Sequence, residues 1–138
     1  MRGRGVVIWA AVLGFVSVAA TIVVAGSPIT DVTVGKAQAL IRERAGTPDF
    51  AILDVRTPAE FVEGHVAGAV NMDVQASDFD ARLRPLDRAK TYLVYCRTGN
   101  RSRGAIQTME RLGFRSVFHM TEGIVGWQRQ KLPLSRSS

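Results

Sequence analysis

The only cysteine of the chain, Cys96, begins a polar segment whose residue types could do nucleophilic chemistry. The segment reads Cys-Arg-Thr-Gly-Asn-Arg-Ser over residues 96–102 and follows an apolar run, residues 92–95, that predicts a buried strand. Apolar residues at three- and four-residue steps over 105–112 predict a helix after it. A cysteine between a strand end and a helix start faces backbone N–H groups and the positive end of the helix dipole. Since both favour the nucleophilic thiolate, the sequence predicts cysteine chemistry on an anionic sulfur or oxygen species.

A small buried hydrophobic residue is the alternative role for a lone cysteine, and in general it is the commoner one. The neighbours of Cys96 argue against it, because arginine, threonine, glycine and asparagine cannot all line a dry core. The arginines at 97, 101 and 103 are by themselves typical of a solvated surface. The loop position, the glycine and the helix start together favour a reactive thiol.

From about residue 29, short apolar runs alternate with helical patterns. Strands are predicted over residues 29–32, 50–55, 69–72, 91–95 and 116–119. Helices are predicted over residues 34–44, 57–64, 77–83, 105–112 and 122–131. This alternation predicts an α/β fold with a mostly parallel sheet of about five strands and helices on both faces. In such sheets the ligand site lies at the carboxyl ends of the strands, where Asp54 and Cys96 would both fall.

The amino-terminal segment differs from the rest of the 138 residues. Two arginines precede an apolar run over residues 6–26 that is interrupted only by one serine and one threonine. As a helix this run would span about 30 Å, the hydrocarbon thickness of a bilayer. A cleavable signal peptide has an apolar region of about 7–15 residues, so the length favours an uncleaved membrane anchor. We expect residues 1–26 to be this N-terminal transmembrane anchor or signal segment, and residues 27–138 to form one domain.

A cleaved signal stays the alternative, because the small residues near Ala25 and Gly26 resemble a processing site. Arg2 and Arg4 precede the apolar run, whereas residues 27–34 contain no basic side chain. This asymmetry favours a domain outside the cytoplasm, either anchored to the membrane or exported and soluble after cleavage.

The net charge of +6 comes from 18 basic and 12 acidic residues that are scattered along the chain. The sequence contains no basic-aromatic pattern for nucleic acid, no zinc-spaced set of cysteine and histidine, and no glycine-rich phosphate loop. The composition therefore favours small anionic ligands as partners over nucleic acid.

Three motifs together resemble a single-domain rhodanese. They are Asp-Val-Arg at 54–56, Glu-Phe-Val-Glu-Gly-His-Val-Ala-Gly-Ala-Val-Asn at 60–71, and Tyr-Cys-Arg-Thr-Gly-Asn-Arg-Ser at 95–102. The likeness covers about residues 31–134, and the motifs occur in the order of the family. The resemblance implies an α/β fold with the catalytic cysteine in a loop between a strand and a helix.

The resemblance also implies sulfurtransferase chemistry through a persulfide on Cys96. The thiolate would take the outer sulfur of a donor such as thiosulfate, and cyanide or a thiol would then remove it. The implied substrate-binding residues are Arg97, Thr98, Gly99, Asn100, Arg101 and Ser102. Asp54 and Arg56 are possible supporting residues, and no metal or organic cofactor is implied. Among these, Arg97 would attract the donor and Arg101 would brace the loop.

Phosphatase and arsenate-reductase relatives of the family carry an arginine six positions after the cysteine. Arg101 follows Cys96 by five positions, which favours sulfur transfer. A membrane-tethered binding module without turnover is the alternative function, although such relatives usually lack the cysteine. A redox thiol carrier is disfavoured because the chain has no second, resolving cysteine.

Other polar residues are less informative. Asp54 and Arg56 are expected to form a structural ion pair rather than to act in catalysis. His65 and His119 are expected to be structural residues of a turn and a strand. Glu122 stands where family members commonly have the first of two glycines, and at a pocket rim it would repel anionic donors.

Overall fold

The computed structural model describes residues 19–20 and 26–136. The predicted anchor or signal at residues 6–26 falls almost wholly outside these residues, and the described part of the chain has no helix long and apolar enough to cross a membrane. The strands are β1 (Ile29–Val32), β2 (Phe50–Asp54), β3 (Ala69–Asn71), β4 (Thr91–Tyr95) and β5 (Ser116–Met120). The helices are α1 (Val34–Arg44), α2 (Pro58–Glu63), α3 (Phe79–Leu83), α4 (Asn100–Arg111) and α5 (Gly123–Arg129).

The five strands form one parallel sheet in the order β1-β5-β4-β2-β3, which confirms the predicted α/β class. Strand β4 is buried along its whole length, as its continuous apolar sequence requires for a central parallel strand. Asp54 pairs in register with Tyr95, so the ends of β2 and β4 meet at the same edge. Cys96 follows directly at that edge.

The core lies on both faces of the sheet. Helices α1 and α5 cover one face, where Val34 and Trp127 are buried. Helices α3 and α4 cover the other, where Leu83 and Met109 are buried. Each large apolar side chain buried in this way contributes about 1.5–3 kcal/mol, so both layers hold the strand ends in place.

Most helix ends differ from the sequence prediction by one or two residues, and the start of α4 differs by five. Helix α4 begins at Asn100, five residues earlier than the apolar pattern starts, because Gly99 has a left-handed backbone (φ 92°) that turns the chain into the helix. Arg101 and Ser102 therefore lie in its first turn rather than in a loop. Helix α5 ends at Arg129, and the left-handed residue Lys131 (φ 57°) explains why the helix does not extend to residue 131.

Candidate active site

A loop of four residues, 96–99, joins the central strand β4 to α4 and holds the thiol. Gly99 is required here, because a Cβ at this position would collide with the carbonyl oxygen of Thr121. Gly123 has the same role across the loop, since a Cβ there would overlap the carbonyl group of Arg97. The backbone N–H of Ile124 donates to the Cys96 carbonyl at 2.9 Å. The loop is thus held between the starts of α4 and α5.

Hydrogen bonds converge on the sulfur of Cys96, a residue that is only 1% exposed. The N–H of Gly99 donates to Sγ at 3.1 Å, and the Ser102 hydroxyl lies 3.2 Å from Sγ. Burial raises the pKa of the thiol, but the Ser102 hydroxyl and the N–H groups of Ser102, Thr98 and Gly99 outweigh it, so the pKa of Cys96 falls below its usual value. The site therefore favours the thiolate.

Of the remaining predicted substrate-binding residues, three are exposed to solvent and one is held in an ion pair. Arg97, Thr98 and Asn100 are exposed to solvent above the buried sulfur. Arg101 instead forms a two-point ion pair with Glu60 of α2, with N···O distances of 2.7 and 2.9 Å. Arg101 thus ties the first turn of α4 to α2, while Arg97 is the guanidinium that faces solvent.

The Glu60 carboxylate is strongly stabilised in its charged form. The hydrogen bonds from Arg101 are the main cause; partial burial opposes them, and the Thr57 side chain adds to them, so the pKa of Glu60 falls to about 2. Glu60 was not among the predicted site residues. Its place three residues after Thr57 predicts a helix capping box, and it begins the second family motif, but neither pattern indicates its contact with Arg101.

Asp54 and Arg56 form a buried pair beside the loop. The guanidinium Nε and Nη2 atoms lie 2.9 and 2.6 Å from the two carboxylate oxygens, and Nη2 also donates to the Gly64 carbonyl at 2.7 Å. Burial disfavours the guanidinium charge, but Asp54 outweighs it and raises the pKa of Arg56. This geometry fixes the segment after β2 and places one edge of Arg56 at a cavity.

That cavity of about 460 Å³ borders the cysteine loop. Its lining consists of Arg56, Glu60, Glu63, Gly64, Arg97, Ile124, Gln128, Leu134 and Arg136. The chain after α5 closes one side, because the backbones of Ser135 and His65 exchange two hydrogen bonds of 2.9 and 2.7 Å. The cavity is large enough for a small anionic molecule, and three arginines face it.

The two histidines and Glu122 occupy different surroundings. The Nδ1 atom of His65 lies 2.8 Å from the carbonyl oxygen of Phe61, a local contact at the end of α2. Within the described residues, Glu122 pairs with Arg129 at 3.8 Å and is not part of the cavity lining, so the condition for the expected repulsion, a place at the rim, is not met at this cavity. His119 is the exception, because it reaches the site.

His119 and Asp31 join the thiol through Ser102. The Ser102 hydroxyl lies 2.7 Å from His119 Nε2, and His119 Nδ1 lies 3.0 Å from Asp31 Oδ1. The sequence predicts a structural role for His119 in a strand and no site role for Asp31. A signal was present, since a histidine inside a buried parallel strand needs polar partners, and β5 was predicted to lie in the same sheet as β4.

Comparisons with known proteins agree with this arrangement. The family model of the rhodanese-like domain matches residues 37–130. A protein of Allochromatium vinosum named sulfurtransferase is 29% identical over 97 residues, covering 70% of this chain and 89% of its own. The uncharacterized protein YibN of Escherichia coli K12 is 29% identical over 113 residues, covering 80% of this chain and 75% of its own.

A solved structure agrees as well. The crystal structure of a rhodanese-related protein from Thermoplasma volcanium superimposes with a TM-score of 0.62 at 28% identity, over 78% of this chain and 98% of that one. Sequence and fold thus lead to the same assignment: the chain belongs to the rhodanese-like domain family.

Proposed function

We propose that the chain is a sulfurtransferase that carries a sulfane sulfur as a persulfide on Cys96. The observation that carries the proposal is the buried Cys96 sulfur, held by the Gly99 N–H and the Ser102 hydroxyl in a loop whose next residue, Arg97, lines a cavity with two further arginines. These contacts lower the pKa of the thiol and supply the nucleophile. Membership of the rhodanese-like family and the sulfurtransferase name of one relative support the same chemistry.

The donor half-reaction follows from the charges around the thiolate. Arg97 and Arg136 at the cavity attract an anionic donor such as thiosulfate. The Cys96 thiolate attacks the outer sulfur, a bond forms between Sγ and that sulfur, and the S–S bond of the donor breaks. Its electron pair leaves with sulfite, and the negative charge stays on the outer sulfur of the Cys96 persulfide. The loop N–H groups then stabilise that charge as they stabilise the thiolate.

The acceptor half-reaction restores the thiolate. Cyanide or a thiolate attacks the outer sulfur, forms a bond with it and displaces Cys96 with the electron pair of the S–S bond. The products are thiocyanate or a new persulfide. Because the sulfur is carried covalently between two anionic partners that use the site in turn, the expected kinetics are ping-pong.

Intact-mass measurement of the purified full chain tests this proposal. Incubation with thiosulfate is expected to add one sulfur, and cyanide is expected to remove it. Cys96→Ser abolishes the gain, whereas Arg84→Ala, a change at an exposed residue of the α3 end, leaves it in place. A full chain that gains no sulfur from any sulfane donor, while Cys96 still reacts with iodoacetamide, would favour the binding-module alternative.

We also propose that residues 6–26 tether the domain to a membrane, with the domain outside the cytoplasm. The apolar length of this segment and the arginines before it support the proposal. Reporters fused after Ser138 test it, one active only in the cytoplasm and one active only after export. Resistance of the fusion to carbonate extraction distinguishes an anchor from a signal cleaved near Ala25 or Gly26.

A further inference from the structure

We propose that Asp31, His119 and Ser102 form a proton relay that takes the thiol proton of Cys96. The proposal deepens the sulfurtransferase function and rests on it, because it assigns how the resting thiol becomes the attacking thiolate. In the relay, the Ser102 hydroxyl takes the thiol proton and passes its own proton to His119. Asp31 then stabilises the charged imidazole. His119 and Asp31 act through Ser102 and are positioning residues.

Three short contacts place the four groups in series. Sγ of Cys96 lies 3.2 Å from Oγ of Ser102, Oγ lies 2.7 Å from Nε2 of His119, and Nδ1 lies 3.0 Å from Oδ1 of Asp31. The groups come from four different elements, namely the loop after β4, helix α4, strand β5 and strand β1. Cys96, Ser102 and His119 are buried, whereas the Asp31 side chain is 69% exposed. The series therefore runs from a dry thiol to the protein surface.

The donor and acceptor chemistry gives this series a direction. A carboxylate only accepts hydrogen bonds, so His119 Nδ1 carries the hydrogen and donates it to Asp31. In the neutral imidazole Nε2 is then bare, and it accepts the hydroxyl hydrogen of Ser102. The free lone pair of Ser102 Oγ is left to accept the hydrogen of the Cys96 thiol. Each hydrogen thus points to the next acceptor.

One shift of hydrogens along the series ionises the site. The thiol proton moves from Sγ to Oγ, the hydroxyl proton moves from Oγ to Nε2, and no atom is gained or lost. Afterwards Ser102 donates to the thiolate, His119 donates to Ser102, and the imidazolium pairs with Asp31. A buried thiolate and imidazolium cost less together than an uncompensated buried thiolate would.

A second cavity, of about 360 Å³, opens the far end of the relay to solvent. Its lining consists of Ser27, Ile29, Asp31, Arg103, Ile106, Gln107, Glu110 and His119. The charged groups that border it with His119 are Asp31 of β1 and Arg103 and Glu110 of α4. Since the donor cavity has a different lining, the imidazolium proton reaches water without passing the bound donor.

The pH profile of Cys96 alkylation by iodoacetamide tests the relay without any sulfur donor. In the full chain, His119→Gln keeps a hydrogen-bonding amide but cannot take a proton, so the midpoint of the profile is expected to rise by about one pH unit. At pH values below the midpoint the alkylation rate then falls about tenfold. Ser102→Ala is expected to shift the midpoint in the same direction, and Asp31→Asn to lower the rate about two- to threefold.

His65→Gln is the matched control, because His65 is also buried but bonds a backbone carbonyl away from the thiol. It is expected to leave the midpoint unchanged. An unchanged midpoint in folded His119→Gln overturns the relay. If that variant does not fold, Asp31→Asn is the second test, because Asp31 is exposed. An alkylation rate of Asp31→Asn equal to that of the unchanged chain also overturns the relay. Sulfur gain from thiosulfate is measured on the same proteins. A failure of the relay can therefore be distinguished from a failure of the sulfurtransferase function.

Discussion

Arg101 and Glu60 are joined by two parallel hydrogen bonds of 2.7 and 2.9 Å that connect the first turn of α4 to α2. Arg101 therefore stabilises the start of α4, next to the backbone N–H groups that surround the sulfur. Its positive charge is largely neutralised by the carboxylate. In the proposed sulfurtransferase, the attraction of an anionic donor is therefore assigned to Arg97 and Arg136, which also line the cavity.

Replacing Glu60 by glutamine is expected to slow persulfide formation several-fold. The variant frees Arg101 and loosens the first turn of α4, which misaligns the Ser102 and Gly99 donors around the sulfur. Single-turnover intact-mass kinetics with thiosulfate measure this rate. Glu63→Gln is the control that distinguishes loss of the ion pair from loss of a negative charge at the cavity. Glu63 lines the same cavity without pairing with Arg101 in the described structure. A Glu63→Gln variant as slow as Glu60→Gln would contradict the bracing role.

The pH dependence of stability provides a second expectation for Glu60. Its pKa falls from 4.5 to about 2 on folding, so the folded state binds fewer protons than the unfolded state between these values. The stabilisation is therefore complete above about pH 5 and is lost as the pH falls toward 2. The difference in unfolding free energy between the unchanged chain and Glu60→Gln, about 1 kcal/mol at neutral pH, is expected to vanish over that range. Urea titrations at several pH values measure it, and a difference that stays constant down to pH 2 would contradict the assignment.

The sequence predicted the strands, the helices and the position of the thiol because these depend on local patterns. Apolar runs, periodicity and capping residues act over a few neighbours, and the order of the three motifs identified the family. Strand β4 matches its predicted range of residues 91–95. The edge shared by Asp54 and Cys96 also followed from the general geometry of parallel sheets.

The contacts that organise the site could not be predicted in the same way. Arg101 and Glu60 are 41 residues apart, and His119 and Asp31 are 88 residues apart. The second contact forms because β1 pairs with β5 at the edge of the sheet. No pattern within β1 or β5 specifies this pairing. A polar residue in a strand has the same sequence signature whether its partner is a carbonyl group or a nucleophile.

Arg97→Ala is expected to lower the capture of thiosulfate about tenfold, with a smaller effect on sulfur transfer to cyanide after the persulfide has formed. Arg97 is exposed at the cavity, so its contribution is a long-range attraction that salt screens. Rates of persulfide formation at low and high ionic strength measure it, and the difference from the unchanged chain should shrink as salt rises. Arg84→Ala removes an equal charge at an exposed residue outside the cavity lining and should behave like the unchanged chain. A loss in Arg97→Ala that does not depend on salt would show that Arg97 acts through loop structure instead.

Two glycines of the same segment are expected to respond in opposite ways to replacement by alanine. Gly99 has φ 92° and no room for a Cβ beside the Thr121 carbonyl, so Gly99→Ala should cost about 2–4 kcal/mol of unfolding free energy. It should also raise the midpoint of Cys96 alkylation, because the displaced loop carries the N–H that bonds the sulfur. Gly104 lies inside α4 with no atom within 4 Å of an added Cβ, so Gly104→Ala should stabilise the chain by about 0.5–1 kcal/mol. Chemical denaturation and alkylation of both variants measure these effects. Equal effects of the two replacements would mean that the strained turn at Gly99 does not hold the thiol in place.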